Sequence, residues 1–237
     1  HKPEEIEKEN WNKILGGDVN NFDHLIVTKG LASSFLKGCD NPGKDWEGKI
    51  QEEARFSPEE QQMLLLTATV HDWGEAIKGD INYYEKKEQD HREEMFELRI
   101  IIDNILGEIL EGEEKEEIEK IAKQVIDILT HTDSKLGKAF NAIERIGYIR
   151  TSLRAYAESE KANKELKIPL RNMACRVIPD QIRILVDYAK IYPPVSVYIK
   201  HYKKTIDKIF ADGENSEIRS SIPKFEESKK KWLSRNI

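Results

Sequence analysis

Apolar positions recur at intervals of three and four along almost the whole chain, and the β-branched runs bounded by turns that mark a sheet are absent. The pattern predicts an all-α fold. Helices are expected over residues 4–15, ending at Gly16-Gly17, and over 22–36, stopping at Gly38. The stretch 38–56, with Asn41-Pro42-Gly43 and Gly48, reads as a long loop of the kind that often serves as a lid or binding loop. Ser57-Pro58-Glu59-Glu60 is a strong helix start, with Ser at the N-cap, Pro at the first helical position and Glu three residues after the cap. From it a helix is predicted to about Trp73, with Leu64, Thr67, Ala68 and His71 on one inward stripe.

Three more helices follow. Residues 87–110 carry the stripe Met95, Leu98, Ile102, Ile105 and Ile109; residues 115–130 carry Ile118, Ile121, Val125 and Ile128; residues 136–157 carry Phe140, Ile143, Gly147 and Leu153. Beyond 158 the breakers Pro169, Pro179 and Pro193-Pro194 divide the pattern into helices at 181–192, 196–211 and 222–234. These last residues are too apolar to stay apart, so the expected organisation is a helical domain over 1–158 with an extension over 159–237 packed on it.

The chain of 237 residues is 38% hydrophobic and 35% charged, which fits a folded protein built from amphipathic helices. Its longest apolar stretches, 63–70 and 100–102, are far too short to span a membrane, and the first residues lack the apolar core of a secretory signal. Cys39 and Cys175 stand alone without CxxC spacing, which fits a reducing cytoplasm better than a disulfide framework. A net charge of −6 argues against a nucleic-acid polymer as main partner, because that binding depends on phosphate neutralisation. The Lys-rich stretch 224–235 is interrupted by Glu226 and Glu227 and reads as a solvated helix face.

Candidate chemistry concentrates in Thr69-Val70-His71-Asp72-Trp73-Gly74-Glu75-Ala76-Ile77-Lys78-Gly79-Asp80-Ile81. Adjacent His and Asp reach one point only where a helix is ending, and Gly74 marks that end. Imidazole nitrogen with carboxylate oxygen, and no thiolate nearby, suits a borderline or hard divalent ion. Glu75 and Asp80 add two carboxylates within a few residues.

The run His71-Asp72, Glu75, Gly79-Asp80 resembles the signature of the HD superfamily of metal-dependent phosphohydrolases, in particular the branch containing the bacterial 5'-deoxynucleotidases. The resemblance covers roughly residues 10–158 and implies an HD-type helical bundle. It also implies an earlier metal-binding His, matched by His24 in Asp23-His24-Leu25-Ile26-Val27, and a last ligand on a downstream helix, where Glu144 stands in place of the family's Asp. Asp80 resembles the residue that assists the leaving ribose oxygen or contacts the sugar. The Arg-Trp pair that precedes the family's first His is here Asn10-Trp11, so Trp11 remains as a sugar or base contact while the Arg is lost.

The residues themselves leave alternatives. Glu144 lies beside an apolar stripe where an unpaired charge is costly, so it needs a partner: a metal, or Arg145 or Arg150. His24, in helical register with Thr28 and Leu31, is either a ligand or a hydrogen-bonded core residue. The implied set of His24, His71, Asp72 and Glu144 holds one divalent ion (Co, Mn, Zn, Fe, Ni or Mg) with positions left for water and a phosphoryl oxygen. Glu75 is then the group to orient or deprotonate that water. Lys29, Lys78, Arg145 and Arg150 are the cations available for substrate phosphate. His91 reads as solvated, and His131 as a helix cap or pocket residue, each a weaker candidate for a second metal.

The expected activity is release of phosphate from 5'-(deoxy)nucleoside monophosphates. The alternatives are cleavage of nucleoside triphosphates, cyclic nucleotides or alarmones on the same scaffold, or a nucleotide sensor without turnover. Pairing with a second copy through an apolar helix face beyond 158 is a further expectation.

Overall fold

The computed structural model describes residues 21–46, 48–75, 87–107 and 113–235, and these residues form eight α-helices and no β-strand. They are α1 (Asn21–Asp40), α2 (Pro58–Val70), α3 (Glu88–Gly107), α4 (Glu113–Thr130), α5 (Lys135–Ser159), α6 (Lys164–Tyr188), α7 (Pro193–Glu214) and α8 (Phe225–Leu233). The fold is all-α, as the periodicity predicts. The helix expected over 4–15 lies outside the described residues. Two compact units are distinguished: residues 21–33 with Phe56–Asn141, and Ser34–Arg55 with Ala142–Ile237. The sequence-based boundary at 158 falls inside the second unit, next to the end of α5.

In the first unit α4 packs on α2 and α3. Val70, Leu98, Ile102, Ala122 and Val125 close into one buried cluster, edged by Met63, Trp73, Met95 and Ile118. Leu98 is fully buried, and truncating such a side chain to Ala costs about 2–5 kcal/mol. α2 starts as its sequence dictates: Glu60 N–H donates to Ser57 Oγ at 3.2 Å, and Ser57 N–H donates to Glu60 Oε2 at 2.9 Å. Lys135 Nζ, from the start of α5, donates to the same carboxylate at 2.8 Å. Partial burial alone would raise the Glu60 pKa, but the bonds from Lys135 and Ser57 outweigh it and hold the carboxyl below its ordinary 4.5.

In the second unit α6 packs on α7 and α8. α6 is a single helix of 25 residues that runs through Pro169 and Pro179, so the break expected at these prolines does not occur. A proline inside a helix costs about 3 kcal/mol. Against that, α6 buries Leu170, Met173, Val177, Ile178, Ile182 and Leu185, each contributing about 1.5–3 kcal/mol, so tertiary burial outweighs local propensity. Pro193-Pro194 falls at the first turn of α7, where proline is tolerated. α1 likewise continues past Gly38 instead of stopping there. The Pro194 ring rests on this glycine, and an added Cβ would lie 2.7 Å from Pro194 Cβ, so Gly38 serves close packing against α7.

Cys39 and Cys175 are free and buried. Burial pushes both thiols up to about 12, with the charges of Asp40 and Asp212 adding to it, so both behave as small apolar residues. Among the described residues no helix is long and apolar enough to cross a membrane.

Candidate functional site

α2 ends at Val70, His71 is its C-cap in helical conformation, and residues 71–74 form tight turns. Trp73 N–H donates to Val70 O at 3.0 Å and Glu75 N–H to Asp72 O at 3.1 Å. This change of direction directly after His71 lets two neighbouring side chains share one point. His71 Nε2 stands 3.3 Å from Asp72 Oδ1. Gly74 follows the helix end as expected, but it is not among the glycines with positive φ, so a left-handed conformation is not what requires a glycine there. An added Cβ would lie 2.3 Å from Glu94 O, so the α3 backbone passes directly over this residue.

α1 supplies the third donor. His24 Nε2 lies 3.3 Å from His71 Nε2, 3.3 Å from Asp72 Oδ2 and 3.4 Å from Thr28 Oγ1. His24, His71 and Asp72 form the group of potential metal donors among the described residues. Hydrogen bonding can join each imidazole to one oxygen of Asp72, but it sets two ring nitrogens against each other at 3.3 Å, where only one of them can donate. A cation among the three donors satisfies all of them together. A tetrahedral ion about 2.0–2.1 Å from each donor spaces its ligand atoms about 3.3–3.4 Å apart, which matches the separation of the two imidazole nitrogens and that of each nitrogen from its nearer Asp72 oxygen, Oδ2 for His24 and Oδ1 for His71; one atom from each of the three residues falls within 4.8 Å of the others. The residues therefore fit a divalent ion in both chemistry and spacing.

The cluster has an inner and an outer side. The His71 side chain is 2% exposed, that of Asp72 21% and that of His24 38%, so solvent reaches the site from the α1 side of the described residues. The Phe140 ring presents its edge to His71, with centroids 5.4 Å apart, and limits the freedom of the imidazole. Phe140 is legible in the sequence as a buried position; its contact with His71 is not, because no spacing rule links α2 to α5.

The other predicted residues are distributed as follows. Glu75 is half-buried directly after the turn. Lys29 is exposed on α1. Glu144 is half-buried on α5 in the second unit and is not a member of the three-donor group. Arg145, also in the second unit, donates from Nη1 to Gln181 Oε1 on α6 at 2.6 Å. Arg150 is exposed. Trp11, Lys78 and Asp80 lie outside the described residues. His91 is exposed and lies 3.9 Å from Glu94, while His131 contacts the carbonyl of Asp127 at 3.2 Å and caps α4, so neither joins the cluster. No protein family matches the chain, and no similar curated protein or solved structure was found.

Proposed function

We propose that this chain is a metal-dependent phosphohydrolase of the HD type that releases phosphate from 5'-(deoxy)nucleoside monophosphates. The observation that carries the reading is the convergence of His24, His71 and Asp72, with the two imidazole nitrogens 3.3 Å apart and each 3.3 Å from one oxygen of Asp72, at the turn where the sequence carries its most specific run. A bound divalent ion supplies Lewis acidity toward the phosphoryl group and lowers the pKa of a water. His24 and His71 present neutral ring nitrogens to it, and Asp72 supplies negative charge. Glu144 is the proposed fourth ligand.

Glu75 accepts the proton of the attacking water, and Asp80 serves the leaving ribose oxygen or the sugar. Trp11 contacts the nucleoside, and Lys29, Lys78 and Arg145 are the cations assigned to substrate phosphate. Arg145 has to exchange its bond to Gln181 to do so. The modest number of cations favours a monophosphate over a triphosphate.

The test is phosphate release by purified protein loaded with Mn or Co, using deoxyadenosine, adenosine and deoxyguanosine mono- and triphosphates. Monophosphates are expected to turn over faster; faster triphosphate cleavage, or tight nucleotide binding without release, overturns the monophosphatase reading. Asp72→Ala is expected to lower metal content sharply in elemental analysis with helicity retained. Glu75→Gln is expected to keep the metal and reduce turnover by a factor on the order of 100 to 10,000.

A further inference from the structure

We infer that the groove between α7 and α8 receives an acidic amphipathic segment of a partner protein. Charge along the chain is strongly uneven: residues 164–237 hold 16 Lys and Arg against 9 Asp and Glu, whereas residues 1–163 hold 22 against 35. The net is therefore +7 for the last helices, within a chain of net −6. An excess of one sign confined to one part of a chain points to a partner of the other sign.

The groove has a volume of about 530 Å³. Lys200 and Lys203 of α7 and Lys229 and Arg235 from α8 and its end line it, facing two carboxylates, Asp207 and Glu214. Both carboxylates are engaged. Asp207 accepts from Lys203 Nζ at 2.9 Å and Trp232 Nε1 at 2.7 Å, and Glu214 accepts from Lys229 Nζ at 2.6 Å. Lys200 is exposed, and no ion pair holds it among the described residues. Arg235 is held as well, 3.7 Å from Asp207 and over the Trp232 ring, so four cations against two carboxylates leave the groove a net charge of +2, presented outward by Lys200.

Shape selects the occupant. The lining positions Lys200, Lys203, Asp207 and Glu214 follow one another along a single stripe of α7, a run of about 21 Å at 1.5 Å per residue. That volume spread over that length makes a shallow trough suited to a linear segment. The floor is apolar, and Leu233 at the lip is 68% exposed, so the occupant carries apolar side chains as well as carboxylates. Trp232 and Phe210 are 1% and 4% exposed, so they offer no platform on which single-stranded nucleic acid bases stack. An amphipathic helix with Glu or Asp beside bulky apolar residues meets both requirements.

The probe is a fluorescein-labelled peptide of about 14 residues with Glu and Leu at helical spacing, followed by anisotropy against the full chain. Saturable binding is expected, with affinity falling as salt rises from about 0.05 to 0.3 M. A peptide with Lys in place of Glu, and one with Ser in place of Leu, are expected to bind at least about tenfold more weakly. Lys200→Glu removes an exposed cation without breaking an ion pair and is expected to weaken binding about tenfold; Leu233→Ser tests the apolar lip, and an unchanged circular dichroism melt shows that each variant is folded. Absence of binding, or equal affinity in both folded variants, overturns the inference. So does preferential binding of oligo-dT or phosphatidylserine vesicles, or a sedimentation mass that rises with concentration and is abolished by Lys200→Glu, which assigns the groove to nucleic acid, membrane or a second copy.

Discussion

Replacing Gly74 with Ala tests whether the His71-Asp72 turn is held by the close passage of α3. The added Cβ would lie 2.3 Å from Glu94 O, 3.1 Å from Glu94 C and 3.3 Å from Glu94 Cα. All three are backbone atoms, so no flexible side chain can move aside. An ordinary carbon–oxygen contact is roughly 1 Å longer, and opening that gap displaces α3 from a cluster in which Leu98 and Ile102 are buried against Val70. Overpacking of this kind costs typically 1–3 kcal/mol and more against rigid backbone, so about 2–4 kcal/mol is expected. For a chain of this length that lowers Tm by about 4–16 °C. The assay is thermal unfolding by circular dichroism, paired with metal content of the folded protein, because the same displacement moves Asp72 relative to His24. Gly30→Ala is the control: it is also in a helix, an added Cβ meets nothing within 4 Å, and the change should stabilise by up to about 1 kcal/mol. An unchanged Tm in Gly74→Ala, or equal shifts in both variants, refutes the argument.

Two further outcomes follow from the fold. With both thiols pushed up to about 12 by burial, Cys39 and Cys175 should stay unreactive toward Ellman's reagent at pH 8 in the folded protein and react fully in guanidinium; rapid native labelling contradicts their placement. Glu60→Gln keeps the capping geometry and removes the charge facing Lys135, so it should lower stability by no more than about 1 kcal/mol at neutral pH. Because the folded pKa of Glu60 is depressed, its contribution is present above the ordinary carboxyl value and is lost as pH falls through the folded one. The difference between wild type and variant, measured by urea unfolding, should therefore shrink as the pH is taken below the ordinary carboxyl value; a difference that grows in acid refutes the assignment.

By itself the sequence determined what depends on neighbours along the chain. Helical periodicity settled the class, and Ser57-Pro58-Glu59-Glu60 placed the start of α2 because a capping box is closed within four residues. The inward stripe Leu64, Thr67, Ala68 and His71 is buried as its spacing requires. His71 and Asp72 stood out because an adjacent pair can share one point only at a helix end, and α2 ends there. Tertiary structure decided what depends on contacts between distant segments. Gly38 and Gly74 carry the local mark of helix ends, yet their roles come from Pro194 and Glu94, which approach from other helices. Pro169 and Pro179 carry the local mark of breaks, and the buried face of α6 overrides it. The approach of His24 to within 3.3 Å of His71 across 47 residues is likewise beyond any periodic pattern, because periodicity assigns a side chain to a face and only packing brings two faces together.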